Sequence, residues 1–116
     1  MNEMGYREYV SDKRKSISKD LVFKGLSHED VVDHLKSSSE IQILGNPPSS
    51  ATQLTGRDTE YYRPIVFIVG HHKIRIIAKR YYIDNAVGLV KKVFKRIGVD
   101  LQEKHLQQRS PLAKAS

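Results

Sequence analysis

Arg63-Pro64-Ile65-Val66-Phe67-Ile68-Val69-Gly70-His71-His72-Lys73-Ile74-Arg75-Ile76-Ile77-Ala78-Lys79-Arg80-Tyr81-Tyr82 decides the fold. Two runs rich in β-branched and aromatic residues, Arg63–Val69 and Lys73–Tyr82, flank Gly70-His71-His72, which reads as a β-hairpin. The tight turn needs positive φ, either from Gly70 in a Gly70-His71 turn or with the loop shifted to His71-His72. Both choices put Ile65, Phe67, Val69, Ile74, Ile76 and Ala78 on one face, because side chains alternate along a strand. The opposite face carries Val66, Ile68, Arg75, Ile77, Lys79 and Tyr81. One face is a core, and the other mixes apolar, aromatic and cationic groups.

Working outward, Asp84 is the expected N-cap of a helix from Asn85 to Ile97, with Gly98 at the C′ position. Ala86, Val87, Leu89, Val90, Val93, Phe94 and Ile97 fall on one helical stripe, and Lys91, Lys92, Lys95 and Arg96 on the other side. Leu101 and Leu106 sit where they would prolong that helix past Gly98. Upstream, Ser27 followed by His28-Glu29-Asp30 marks another helix start, ending near Lys36, with Val31, Val32 and Leu35 as its buried stripe. Leu21-Val22-Phe23 reads as a short strand, and Glu40-Ile41-Gln42-Ile43-Leu44 alternates like one. Pro47-Pro48 opens an irregular stretch to about Asp58, with room for a short strand at Thr52–Thr55. The expected fold is α+β: a three- or four-stranded antiparallel sheet with helices packed on one face, in αβββα or βαβββα order. Residues 1–19 read as a charged arm or helix, 20–108 as a single domain and 109–116 as a disordered tail.

The 116 residues suit one domain, and 39% hydrophobic with 28% charged residues suits a globular one. The run Ile65–Val69 falls far short of the ~20 apolar residues of a membrane span, so no membrane partner is expected. Met1-Asn2-Glu3-Met4 lacks the apolar segment of a secretory signal. The chain has no cysteine, which excludes disulfides, thiolate metal sites and cysteine nucleophiles. A cytoplasmic location is the expectation.

Charge is more informative. Lys73 to Arg96 holds eight cations and one anion, Asp84, so this segment alone carries the +7 of the whole chain. Clustered cation is the electrostatic footprint of phosphate binding, the alternative being a merely solvated basic surface. On the strand, Arg75, Lys79, Arg80 and Tyr81 are the candidate nucleic-acid contacts. Alternate cations stand about 7 Å apart, near the spacing of successive phosphates, and a tyrosine offers a ring for an unpaired base. Tyr82 continues the core parity and is expected under the following helix, while Tyr61 and Tyr62 fit either core or surface. Lys91, Lys92, Lys95 and Arg96 extend the candidate surface along the helix, and His71, His72 and Lys73 along the turn.

No catalytic residue, metal ligand set or cofactor site is expected. His28 and His34 lie six apart, so they face different ways rather than forming a zinc pair at i, i+4. There is no Gly-rich phosphate loop and no G-x-S-x-G.

The order helix, strand, strand, strand, helix resembles the double-stranded-RNA-binding domain. More closely, Ile65–Gly70, Ile74-Arg75-Ile76 and Asp84–Lys92 resemble the ribosome hibernation-promoting factor family, the ribosome-associated inhibitor proteins. The resemblance covers roughly Arg63 to Arg109. It implies a βαβββα fold, RNA or the ribosome as partner, and a role in translation regulation. Gly70-His71-His72-Lys73-Ile74-Arg75-Ile76 also resembles a hairpin of RelE/HigB-type endoribonuclease toxins, which implies an enzyme instead. A phage-type inhibitory protein, its basic face meeting an acidic protein surface, is the third reading. The sequence leaves the oligomeric state open.

Overall fold

A computed structural model describes residues 14–104. The charged arm at residues 1–13 and the tail at 109–116 lie outside them. Six strands, β1 (Ser16–Val22), β2 (Ile41–Ile43), β3 (Gln53–Asp58), β4 (Pro64–Gly70), β5 (Lys73–Lys79) and β6 (Gln102–Glu103), form one sheet. Two helices, α1 (His28–Ser37) and α2 (Ile83–Lys95), complete the βαββββαβ order. The strands lie in the order β2-β3-β4-β5-β1-β6, every neighbour antiparallel.

The fold is thus α+β with an antiparallel sheet, but six strands replace the three or four expected. Three local readings changed: two strands are longer than expected and one is added. The strand anticipated at Thr52–Thr55 runs on to Asp58, because Leu54, Gly56 and Asp58 alternate inward while Gln53–Arg57 pair with β4 and Asp58 with Ile41 of β2. The strand anticipated at Leu21–Phe23 begins at Ser16, so Ser16–Lys19 belong to the sheet and not to an arm. Gly98 (φ 79) lies in the turn after the second helix, and the chain returns to β1 as β6 instead of continuing helical. Leu101, 3% exposed, supplies the reason: its side chain enters the core.

The β4–β5 hairpin turns on His71-His72, with Gly70 paired to Lys73 and His72 at φ 55. Its inward face is fully buried, Ile65, Phe67, Ile74 and Ile76 each at 0% exposure. Both helices cover that face. α1 is capped as expected, the Ser27 Oγ accepting from the Asp30 amide at 3.1 Å. α2 departs from expectation: it starts at Ile83 after Tyr82, and Asp84 is a first-turn residue rather than the cap. The Tyr82 amide donates to the Lys79 carbonyl at 2.8 Å, a turn that brings the chain into the helix two residues early. α2 also stops at Lys95, which leaves Ile97 exposed although its periodicity placed it on the buried stripe. The helices meet where the His34 ring stands edge-on to Phe94 at 4.8 Å and its Nε2 contacts the Val93 carbonyl at 2.7 Å. His28 contacts the Ala51 carbonyl through Nε2 at 2.6 Å. These histidines tie layers together.

Two substitutions test this packing. Phe94→Ala should cost ~3–5 kcal/mol in a urea melt, because Phe94 is wholly buried between layers. Gly56→Ala should loosen β2 before the rest of the sheet. A Cβ there would stand 2.8 Å from the Gln42 carbonyl oxygen and 3.0 Å from Ile43 Cδ1, so faster amide exchange confined to β2 is the expected readout.

Candidate nucleic-acid interface

Both helices lie on one face of the sheet, and among the described residues no element covers the other. Its middle carries Val66, Ile68 and Ile77, all half-buried, with Thr55 and Ser18 in the same cross-strand row. Arg75 lies on this face opposite Asp20, as the β1–β5 register requires. Its Nε donates to Oδ1 at 2.8 Å and its Nη2 to Oδ2 at 3.2 Å. Lys73 Nζ stands 3.8 Å from the same carboxylate. Hydrogen bonding and charge from Arg75 hold the Asp20 carboxyl below its ordinary range and raise the guanidinium above its own. Two cations thus share one anion at the strand centre, and their pull on a phosphate is correspondingly weaker.

At the C-terminal end of β5 the balance differs. Lys79 is exposed, faces Ser16 across the strand pair, and has no carboxylate partner among the described residues. Beside it the β3–β4 connection brings up residues that sequence reasoning did not select. Arg57 donates through Nε to the Gln42 side-chain oxygen at 2.8 Å, and its guanidinium lies 5.1 Å from the Tyr62 ring centroid. Arg63 stands 5.3 Å from the Tyr81 ring centroid and donates to its hydroxyl at 3.1 Å. Tyr61, Tyr62 and Tyr81 are 62%, 63% and 49% exposed, so the first two belong to the surface. Arg57 was legible in principle, since it alternates outward with Gln53 and Thr55 once the Pro-rich loop is seen to end in a strand. Arg80 is exposed near this end, its amide donating to the Lys15 carbonyl at 2.8 Å.

A buried carboxylate builds this end. Asp58, 6% exposed, accepts from the Tyr82 hydroxyl and from the Glu60 and Tyr61 amides at 2.6 and 3.0 Å. Burial pushes its carboxyl up, but those hydrogen bonds and the nearby Arg63 charge outweigh it and leave the group below its ordinary value. Burial and the Asp58 hydrogen bond raise the Tyr82 hydroxyl. Tyr82 lies in the core as its parity predicts. The Asp58 carbonyl also accepts from the Tyr62 amide at 2.8 Å, which fixes Tyr62 at φ 58. That left-handed backbone costs a bulky residue ~1–3 kcal/mol and holds the ring outward.

The remaining candidates lie elsewhere. α2 occupies the opposite side of the molecule from the open sheet face. There Lys91 Nζ pairs with Glu103 Oε2 at 3.3 Å and Arg96 with Glu40. Lys92 lines a cleft of about 450 Å³ whose walls include Glu40, Asp58, Glu60 and Asp84. Lys95 is exposed without an acidic partner among the described residues. The His71 and His72 rings lie 4.0 Å apart between centroids, tilted by 58°, at the hairpin tip, the far end of β5, with Phe23 edge-on to His72. They border a cleft of about 720 Å³ together with Lys73, Val99 and Lys104. The eleven sequence candidates are therefore not one surface. Among the described residues no cluster of side chains suits a metal ion, and no helix is long and apolar enough to cross a membrane.

Tyr82→Phe tests the buried link. Removing its hydroxyl leaves Asp58 short of a donor and should cost ~1–3 kcal/mol in a urea melt at neutral pH. Because the Asp58 carboxyl is depressed on folding, its stabilisation is complete above the ordinary carboxylate range and is lost as pH falls through the lowered value. The variant should accordingly unfold in acid at a higher pH than the parent.

Set against known proteins, the chain matches no family model, no curated protein and no solved structure.

Proposed function

We propose that this protein is a small, non-catalytic RNA-binding module that docks RNA on the uncovered sheet face, at the end formed by Arg57, Tyr62, Arg63, Lys79 and Tyr81. One observation carries the reading: among the described residues Arg57, Arg63 and Lys79 stand with exposed tyrosine rings at that end and form no salt bridge, whereas Lys73 and Arg75 share Asp20 and Lys91 and Arg96 pair with Glu103 and Glu40. A phosphate approaching Lys79 meets undiminished charge. One approaching Lys91 or Arg96 must first displace Glu103 or Glu40. Phosphate contacts supply most of the affinity of such surfaces, and rings interleaved with them suit nucleic acid better than they suit an acidic protein.

A ribosome-associated role in translation regulation is the setting implied by the resemblance over Arg63 to Arg109. Among the described residues the chain shares with that family a strand before the helix at His28–Ser37 and an amphipathic helix after the hairpin. It adds a fourth strand between the helices and a strand after the second. The endoribonuclease reading is less favoured. Its histidines sit about 20 Å along β5 from Tyr81, too far to share a phosphate with it.

With four to six phosphate contacts, log K for RNA should fall against log salt with a slope of about −3 to −5. Lys79→Glu should weaken binding severalfold more than Lys91→Glu, since the second cation is already paired. Filter binding across a salt series measures both. Salt-insensitive binding, or equal losses at the two positions, would replace this sheet-face reading with a protein partner or a two-sided RNA cleft respectively.

A further inference from the structure

We infer that the RNA taken by this surface is single-stranded, its unpaired bases stacking on Tyr62 and Tyr81. This substrate class rests on the RNA-binding reading above. A surface that recognised phosphate alone would need cations and no rings, and would favour the duplex for its denser charge. Here two of the cations at the open end, Arg57 and Arg63, each come with a tyrosine. Arg57 covers one side of Tyr62 and Arg63 lies against Tyr81, yet the residues keep 63% and 49% of their surface in solvent. Each ring is thus backed by a guanidinium and remains open to a flat partner.

Rigidity strengthens the case. Tyr62 is held in left-handed backbone by the Asp58 carbonyl, and Asp58 is itself anchored to buried Tyr82. A ring fixed in that way stacks on a base without first being ordered. In an A-form duplex the base faces are occupied by their neighbours and the deep groove excludes side chains, so such rings find no partner there. Stacking on bases of any identity, with arginines beside the rings for the backbone, is the chemistry of single-strand recognition.

The test uses the full chain and fluorescence anisotropy at low salt. The probes are a short unstructured RNA and the same RNA annealed to its complement. The variants are Tyr62→Asn, which tolerates left-handed backbone, Tyr81→Ala and Tyr81→Phe. The single strand should bind more tightly than the duplex. Tyr62→Asn and Tyr81→Ala should each lose about 5-fold or more for the strand and change little for the duplex. Tyr81→Phe should keep the parent affinity, because the ring and not the hydroxyl makes the stack. Circular dichroism should show every variant folded. A duplex bound as tightly as the strand, or folded tyrosine variants that bind like the parent, would overturn single-strand recognition and leave RNA binding standing. Binding to neither form would remove both readings.

Discussion

Everything in this molecule depends on covering the inward face of the β4–β5 hairpin. Ile65, Phe67, Ile74 and Ile76 cannot stay in water, since burying each such side chain is worth ~1.5–3 kcal/mol. The two helices of the described residues cover that face of the sheet. Val31, Val32 and Leu35 from α1, with Val90, Val93 and Phe94 from α2, fill one layer. The consequence reaches the surface. A sheet covered once has a second face in solvent, and strand alternation decides which residues stand on it.

Charge is sorted by the same geometry. The sequence concentrates cations between Lys73 and Arg96, but folding distributes them over two sides of the molecule. On the helix side the acidic residues of β6 and of the segment before β2 meet them, and Glu103 and Glu40 neutralise Lys91 and Arg96. On the open face Asp20 sits mid-strand and holds Arg75. At one end of the sheet Arg57 from β3, Arg63 from the next connection and Lys79 form no salt bridge among the described residues. Net charge says that an anion is attracted, while the pairing says where.

Core and candidate surface are joined through Asp58. Its carboxylate bonds to a buried tyrosine on one side and to the amides of an exposed turn on the other. A buried carboxylate with fewer donors would be costly, so the turn and the start of α2 are held against each other. Tyr62 inherits its backbone conformation from this arrangement. The position of a surface ring is thereby fixed by a bond inside the molecule.

The sequence alone determined the hairpin, the parity of its two faces, the Ser27 cap and the amphipathic stripe of α2. All of these depend on neighbours a few residues apart, where periodicity and capping chemistry act directly. It also placed Tyr82 in the core and the cations of β5 outside. Tertiary structure alone decided the strand count, because β6 and the full length of β3 exist only through pairing with distant strands. It decided the helix boundaries as well, Tyr82 being pinned by Asp58, 24 residues away in sequence. Above all it decided which cations are free. Arg75 looks like Lys79 in the sequence, and only the register of β1 against β5 sets Asp20 opposite one and Ser16 opposite the other.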